Sequence, residues 1–328
     1  MTMDDQSVWH PSRRELISLG IGAFVVSLPL VRWAGRRRLV RRSIPVMGTL
    51  AEVVVVHDDE HIAQTAIEAA LDRLIWVDRT MSRFDPGSDV GRANRFAARE
   101  PVPIHAETAT VLRAAKRWAD RTDGEFDPCL GKAVELWSAG DRHSPPPTPE
   151  VQRFAGRRLY EGLEVGDYRG RDVVRFHEAE MAIDLGGIAK GHAVDLAVQA
   201  LRDAGIEDGL VNAGGDVYAL GRAEDGAPWE AGVRSPFAPT ELLSTVRLSN
   251  RALATSGDYE SYFDYHGRRY HHILDPVTAA PRLTSSHTIT VAADLCVEAD
   301  PAATACFGTP GEIAHRWLDD RTEIVHTA

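Results

Sequence analysis

The run Asp184-Leu185-Gly186-Gly187-Ile188-Ala189-Lys190-Gly191 holds the residue types that come close to a phosphate. Glycines let the backbone approach a ligand, and free N–H groups at a helix start attract anions. Lys190 adds a point charge suited to a diphosphate. The run is neither a Walker A loop nor a G-x-G-x-x-G fingerprint, so alone it reads first as a glycine-rich turn between strand and helix. Asn212-Ala213-Gly214-Gly215-Asp216 and Thr255-Ser256-Gly257-Asp258-Tyr259 also read as turns, with Gly214 and Gly215 supplying positive φ for a hairpin. His271-His272-Ile273-Leu274-Asp275-Pro276 sets two imidazoles and an acid beside a turn. Adjacent strand residues face opposite ways, so only one of the two histidines enters a site, where it suits a base near neutrality. Zinc is weakly supported, because no H-x-x-x-H or cysteine partner follows. Asp300 and Thr304 share a helix face. Locally Asp300 is an N-cap followed by Pro301 at the first helical position. The same carboxylate and hydroxyl oxygens also suit a hard divalent cation. No G-x-S-x-G nucleophile elbow occurs anywhere in the chain.

Elements must carry these groups. Residues 44–57 read as a first buried strand ending in Val53-Val54-Val55-Val56. Residues 59–77 have Ile62, Ala66, Ala69, Ala70, Leu74 and Val77 at the spacing of an amphipathic helix, and 108–119 form a second. The proline-rich stretch 144–149 is a surface loop. Short strands are expected at 173–176, 210–211, 217–220, 245–248 and 288–291, with another ending near Ile183. A helix over 190–204 closes on Gly205. Helices early and strands late imply an α+β fold, one domain of two lobes.

The formal charge of -11 is uneven. Residues 1–42 carry eight arginines against Asp4, Asp5 and Glu15, a net of +5, which leaves -16 on the rest. An acidic body argues against coating nucleic acid, which requires phosphate neutralisation. Cys129, Cys296 and Cys306 lie too far apart for a C-x-x-C pair, excluding a cysteine-rich zinc site and a disulfide-dense scaffold. One disulfide stays open beside the reading of three reduced core cysteines. Arg13 and Arg14 precede an apolar run over 16–31, and Ser12-Arg13-Arg14-Glu15-Leu16-Ile17 has the form of a twin-arginine export signal. No A-x-A-like cleavage site follows, and Arg36, Arg37, Arg38, Arg41 and Arg42 come after the run, so it is either a signal or an uncleaved anchor. The expected division is a signal or anchor with its basic segment over 1–42 and a functional domain over 43–328, exported to the periplasm or another extracytoplasmic space.

Taken in order, these segments resemble the FAD:protein FMN transferase (ApbE) family, formerly described as thiamine-biosynthesis lipoproteins. The matching stretches are Met47-Gly48-Thr49; Met81-Ser82-Arg83-Phe84 with Ser88 and Asn94; Phe126-Asp127-Pro128 with Trp137; the 184–191 run with Asp195; 212–216; 255–259; 272–276; and Asp300 with Thr304. The resemblance implies a two-lobed, T-fold-like α+β domain holding FAD in the cleft between lobes. By that similarity Met47 and Phe84 flank the isoalloxazine. Asp127, Asp184, Gly187, Lys190, Gly214, Gly215, Ser256 and His272 line the bound FAD. Gly187 (through its main-chain oxygen), Asp300 and Thr304 hold Mg2+, and His272, with Asp300, is catalytic. The implied reaction is transfer of FMN to a threonine or serine hydroxyl of an exported or membrane-associated flavoprotein, releasing AMP. Hydrolysis of FAD to FMN and AMP, and non-catalytic FAD binding, are the alternatives. The sequence departs from the family pattern at Phe84 (usually Tyr), Ala279 (usually Gly) and Pro301, and it has no lipobox cysteine after the apolar run.

Overall fold

A computed structural model describes residues 24–26, 37–138, 141–235 and 241–328. Its centre is a seven-stranded antiparallel sheet in the order Glu323–Thr327, Thr288–Ala293, Arg251–Gly257, Asp216–Leu220, Gly209–Ala213, Thr49–His57, Arg38–Val46. Three helices, Glu60–Met81, Ala189–Asp203 and Cys296–Cys306, pack together on one face. The strands Trp229–Arg234 and Leu242–Leu248 are part of a smaller sheet, and its Trp229, Ala231, Val233 and Leu248 cover apolar residues of the other face. Hence Val53 and Val55 join the helical core while Val54 and Val56 join the second core, which is why this run is apolar without alternation.

A second lobe gathers the helices Asp89–Phe96, Ala106–Arg121, Gly131–Trp137 and Thr148–Gln152 beside the strands Val102–Pro103, Leu163–Tyr168 and Arg171–Phe176. The α+β expectation holds. Among the described residues every paired strand is antiparallel, and the one parallel contact is an isolated bridge between Leu130 and Ala182.

Local chemistry explains the boundaries. Asp59 starts its helix by accepting from the amides of His61 (2.8 Å) and Ile62 (3.2 Å). The buried stripe is Ala63, Ala66, Ile67, Ala70, Leu71, Leu74, Val77 and Met81, so Ile62 and Ala69 face solvent and the helix runs one turn past Val77. The Ala189–Asp203 helix ends as expected on Gly205 (φ +78°), with Ile206 N–H donating to Leu201 O in a Schellman closure.

Four expectations change. Residues 44–57 are two strands, because Met47 (φ 54°) and Gly48 (φ 70°) form a two-residue hairpin turn of the twist-compatible kind. No strand ends at Ile183; its backbone is instead clamped by the Asn94 side chain, which accepts from Ile183 N at 2.6 Å and donates to Ile183 O at 2.9 Å. Pro149 lies in the Thr148–Gln152 helix rather than a loop. The domain begins before residue 43, since Arg38–Val46 is an edge strand paired along its whole length. Of the apolar run, Phe24–Val26 pairs antiparallel with Ala231–Val233. The twin-arginine segment lies outside the described residues.

Candidate active site

Two adjoining chambers open between the lobes. The larger, 480 Å³, has one wall of Met47, Val77, Met81, Phe84, Leu185 and Ala189 and another of Asp78, Ser82, Arg83, Asp184, Lys190 and Glu260, with the Gly48-Thr49 and Gly214 turns between. The smaller, 160 Å³, sets Ser256, His272, Asp300, Thr304, Asp127 and Gly187 among the apolar Phe126, Leu130, Val134, Ile273 and Leu274. The hairpin turns at 47–48 and 214–215 meet at the large chamber. A Cβ on Gly214 would lie 2.8 Å from Thr49, so that position accepts only glycine. Phe84 stands 79% exposed at the rim, with the Arg83 guanidinium 4.2 Å from its ring centre.

Charge is concentrated where the chambers join. Lys190 Nζ donates to Asp216 Oδ2 at 2.9 Å and stands 3.4 Å from both oxygens of Asp300. Burial and the nearby Asp300 raise the Asp216 carboxyl, and its Oδ1 has no hydrogen-bond partner among the described residues. The two carboxylates in turn push Lys190 upward against the opposing effect of burial, so it stays charged. Asp184 accepts from Gly186 N at 2.8 Å and pairs with Arg83 Nε at 3.2 Å, which fixes the glycine loop.

The two histidines separate as strand alternation requires. His271 is buried: its Nδ1 accepts from Ile273 N at 3.2 Å, so its Nε2 donates to Arg282 O at 3.1 Å. Burial holds its pKa down at about 4. His272 faces the small chamber, with Nδ1 donating to the Ser261 carbonyl at 3.3 Å. That contact leaves Nε2 as the basic nitrogen.

Asp300 is not an N-cap. Its helix begins at Cys296, and Asp195 of the neighbouring helix caps it, accepting from Cys296 N and Val297 N at 2.9 Å each. Asp300 therefore sits mid-helix, pointing at Lys190 and accepting from Gly191 N at 3.2 Å. Pro301 is inside the helix, where it removes one internal donor.

A family model described as the ApbE family matches residues 47–326. The chain belongs to the ApbE family. The FAD:protein FMN transferase of Vibrio cholerae is 31% identical over 271 residues, 81% of this chain and 80% of the relative. That of Treponema pallidum is 32% identical over 308 residues, 88% and 84%. Among solved structures, an ApbE protein from Thermotoga maritima superposes with a TM-score of 0.77 at 32% identity, covering 86% of this chain and 90% of its own. The flavin transferase ApbE from Vibrio cholerae gives 0.74 at 26% identity, covering 89% and 97%.

Within this ApbE fold all the expected site residues except Gly215 line the two chambers. Gly215 (φ 99°) completes the turn beside Gly214. Asp127 lines the wall, but its oxygens accept from Cys129 N (2.8 Å) and Tyr160 N (3.3 Å), so it shapes the loop, and burial raises its pKa to about 6. Ala279 holds a left-handed φ of 53°, the conformation that explains glycine as the family's usual residue there. Three residues escaped sequence reading. Asp216 was legible only as a turn residue, and Glu260, one residue past the 255–259 turn, carried no signal of its own. Arg282 is buried, donating to the Ala305, Phe307 and Glu125 carbonyls, and has no local signature.

The donors fit a hard cation in kind. A Cβ on Gly187 would lie 2.7 Å from Thr304 Oγ1, so the backbone of Gly187 lies against Thr304 and glycine keeps that approach open. Ser256 Oγ is 3.4 Å from the same hydroxyl. Carbonyl, carboxylate and hydroxyl oxygens suit Mg2+, which keeps coordination positions for water and phosphate. Among the described residues no three His, Cys, Asp or Glu side chains gather as a metal-binding group. All three cysteines are buried and free.

Proposed function

We propose that this chain transfers FMN from FAD to a threonine or serine hydroxyl of an exported or membrane-associated flavoprotein, with Mg2+, releasing AMP. The observation that carries this reading is the convergence of Lys190, His272, Asp300, Thr304 and Gly187 on one cleft beside a chamber with an apolar wall of Met47, Val77, Met81 and Phe84. A carrier needs no base, and His272 presents one. Membership of the ApbE family and the names of its relatives support the same activity.

The chemistry follows from the chain's own groups. Met47 and Phe84 offer a sulfur and an aromatic face for the isoalloxazine. Lys190, held between two carboxylates, presents its charge to the diphosphate at the chamber junction. Nε2 of His272 takes the proton of the incoming hydroxyl, whose oxygen bonds to the flavin-side phosphorus. The bond from that phosphorus to the bridging oxygen breaks, and AMP leaves with that oxygen. Gly187 O, Asp300 and Thr304 would hold Mg2+, which when bound neutralises developing phosphate charge.

Export by the twin-arginine route belongs to this proposal, motivated by Arg13 and Arg14 ahead of the apolar run. The test of activity is to incubate the purified chain with FAD and Mg2+, with and without a threonine-bearing acceptor. AMP release should require the acceptor, whose mass should rise by one FMN. AMP release indifferent to the acceptor would mean hydrolysis, and tight FAD binding without AMP would mean a carrier.

A further inference from the structure

Four residues line both chambers: Asp184, Gly186, Lys190 and Glu260. Asp184 is occupied by Arg83 and the Gly186 amide, and Lys190 by Asp216 and Asp300. Glu260 differs. Among the described residues no hydrogen bond or ion pair engages its carboxylate, which burial pushes up, against attraction from His272 and Lys190 and with repulsion from Asp300. Its backbone is nevertheless well held. Asp258, two residues before, is buried against His287 (2.8 Å) and Arg269 (3.5 Å), and Ser261, the next residue, receives His272 N and Nδ1. A fixed backbone thus presents an uncommitted acceptor to the junction.

The nature of the chambers says what passes there. Within the larger, the wall of Met47, Val77, Met81, Phe84 and Leu185 suits a planar ring, and within the smaller, the group Asp300, Thr304 and His272 suits reacting phosphate. On the transferase reading of this same cleft, what connects those two parts of the substrate is the ribityl chain, a neutral polyol. A carboxylate paired with no cation repels an anion but accepts readily from hydroxyls, and Lys190 is already shared between Asp216 and Asp300. We propose that Glu260 is a specificity residue that accepts hydrogen bonds from the ribityl hydroxyls and so sets how far the flavin enters before its phosphate meets His272.

The test is fluorescence titration of the intact chain without Mg2+, using riboflavin and lumiflavin, which share the ring but differ in the polyol. Neither carries phosphate, so the charge lost in a variant does not confound the comparison. Glu260→Ala should weaken riboflavin about tenfold, the loss of a charge-assisted hydrogen bond, and leave lumiflavin unchanged. Glu260→Gln, which keeps a carbonyl acceptor, should fall between. Equal weakening of both flavins, or unchanged riboflavin affinity, overturns the assignment. So does a rise in KM for the acceptor protein with riboflavin binding intact, which would move Glu260 to the acceptor side. If wild-type chain transfers FMN while Glu260→Ala binds riboflavin normally, only this inference fails. A wild-type chain that binds neither flavin overturns the transferase reading as well.

Discussion

Asp300 owes its position to a residue on another helix, and that separates its roles cleanly. Asp195 supplies the cap, so Asp300 is left to Lys190, the Gly191 amide and the oxygen donors around Thr304. Asp300→Asn keeps the shape but loses the charge a hard cation requires. The variant should melt near wild type and still bind FAD, while FMN transfer at limiting Mg2+ falls on the order of a hundredfold. Transfer assays across a Mg2+ series check this, and excess Mg2+ should recover part of the rate. Normal transfer by Asp300→Asn would remove the metal assignment. Residue types were the most legible layer of the sequence. Alternation alone showed that one of His271 and His272 must turn away, and the structure turns His271 into the core. The cap misreading of Asp300 arose because Asp-Pro looks like a helix start locally, whereas the true cap arrives from residue 195.

At the scale of elements, the sequence showed strands and helices but not the break at Met47-Gly48. A left-handed methionine carries no turn signature, and only the glycine after it hints at one. The glycine pair at 214–215 was readable for the converse reason. Helix-to-helix fit was not legible at all. Gly191 shows why: a Cβ there would lie 2.3 Å from Cys296 O and 3.0 Å from Asp300 Cβ. Gly191→Ala must therefore push apart the Ala189–Asp203 and Cys296–Cys306 helices, which carry Lys190 and Asp300. We expect a loss of about 1–3 kcal/mol by chemical denaturation, together with impaired transfer. An unchanged denaturation midpoint would mean that the helices accommodate the methyl without cost.

For the whole molecule, acid stability is a balance of buried groups with opposite signs. His192 and His271 are held at about 4 by burial, so the unfolded chain takes up protons near the ordinary 6.5 that the folded chain refuses. The stability these two confer is complete above 6.5 and is lost as pH falls toward 4. Asp127 and Asp195, raised to about 6 by burial, act in the reverse sense, with stability gained as pH falls from 6 toward 3.8. His192→Gln removes one histidine contribution, worth about 3 kcal/mol across that range. Urea denaturation at pH 7 and pH 4.5 should show the variant gaining on wild type in acid, and a constant difference would contradict it. The proposed export also belongs to the whole chain. Replacing Arg13 and Arg14 together by Lys should leave the protein inside the cell, as fractionation would show; unchanged export would remove the twin-arginine claim.

The cap that crosses from one helix to another also has a kinetic meaning. Asp195 and Cys296 are 101 residues apart, so the first turn of the Cys296–Cys306 helix gains its cap only after a long loop has closed. Contacts of such separation reward the chain only after the entropy of closing the loop has been met. The segment that brings Asp300 and Thr304 to the cleft is thus completed only through contacts of long sequence separation. A partly folded chain would carry the loops for a nucleotide without the oxygens that complete the site. Competence for catalysis then becomes a measure of finished folding, which is what the proposed twin-arginine export would require.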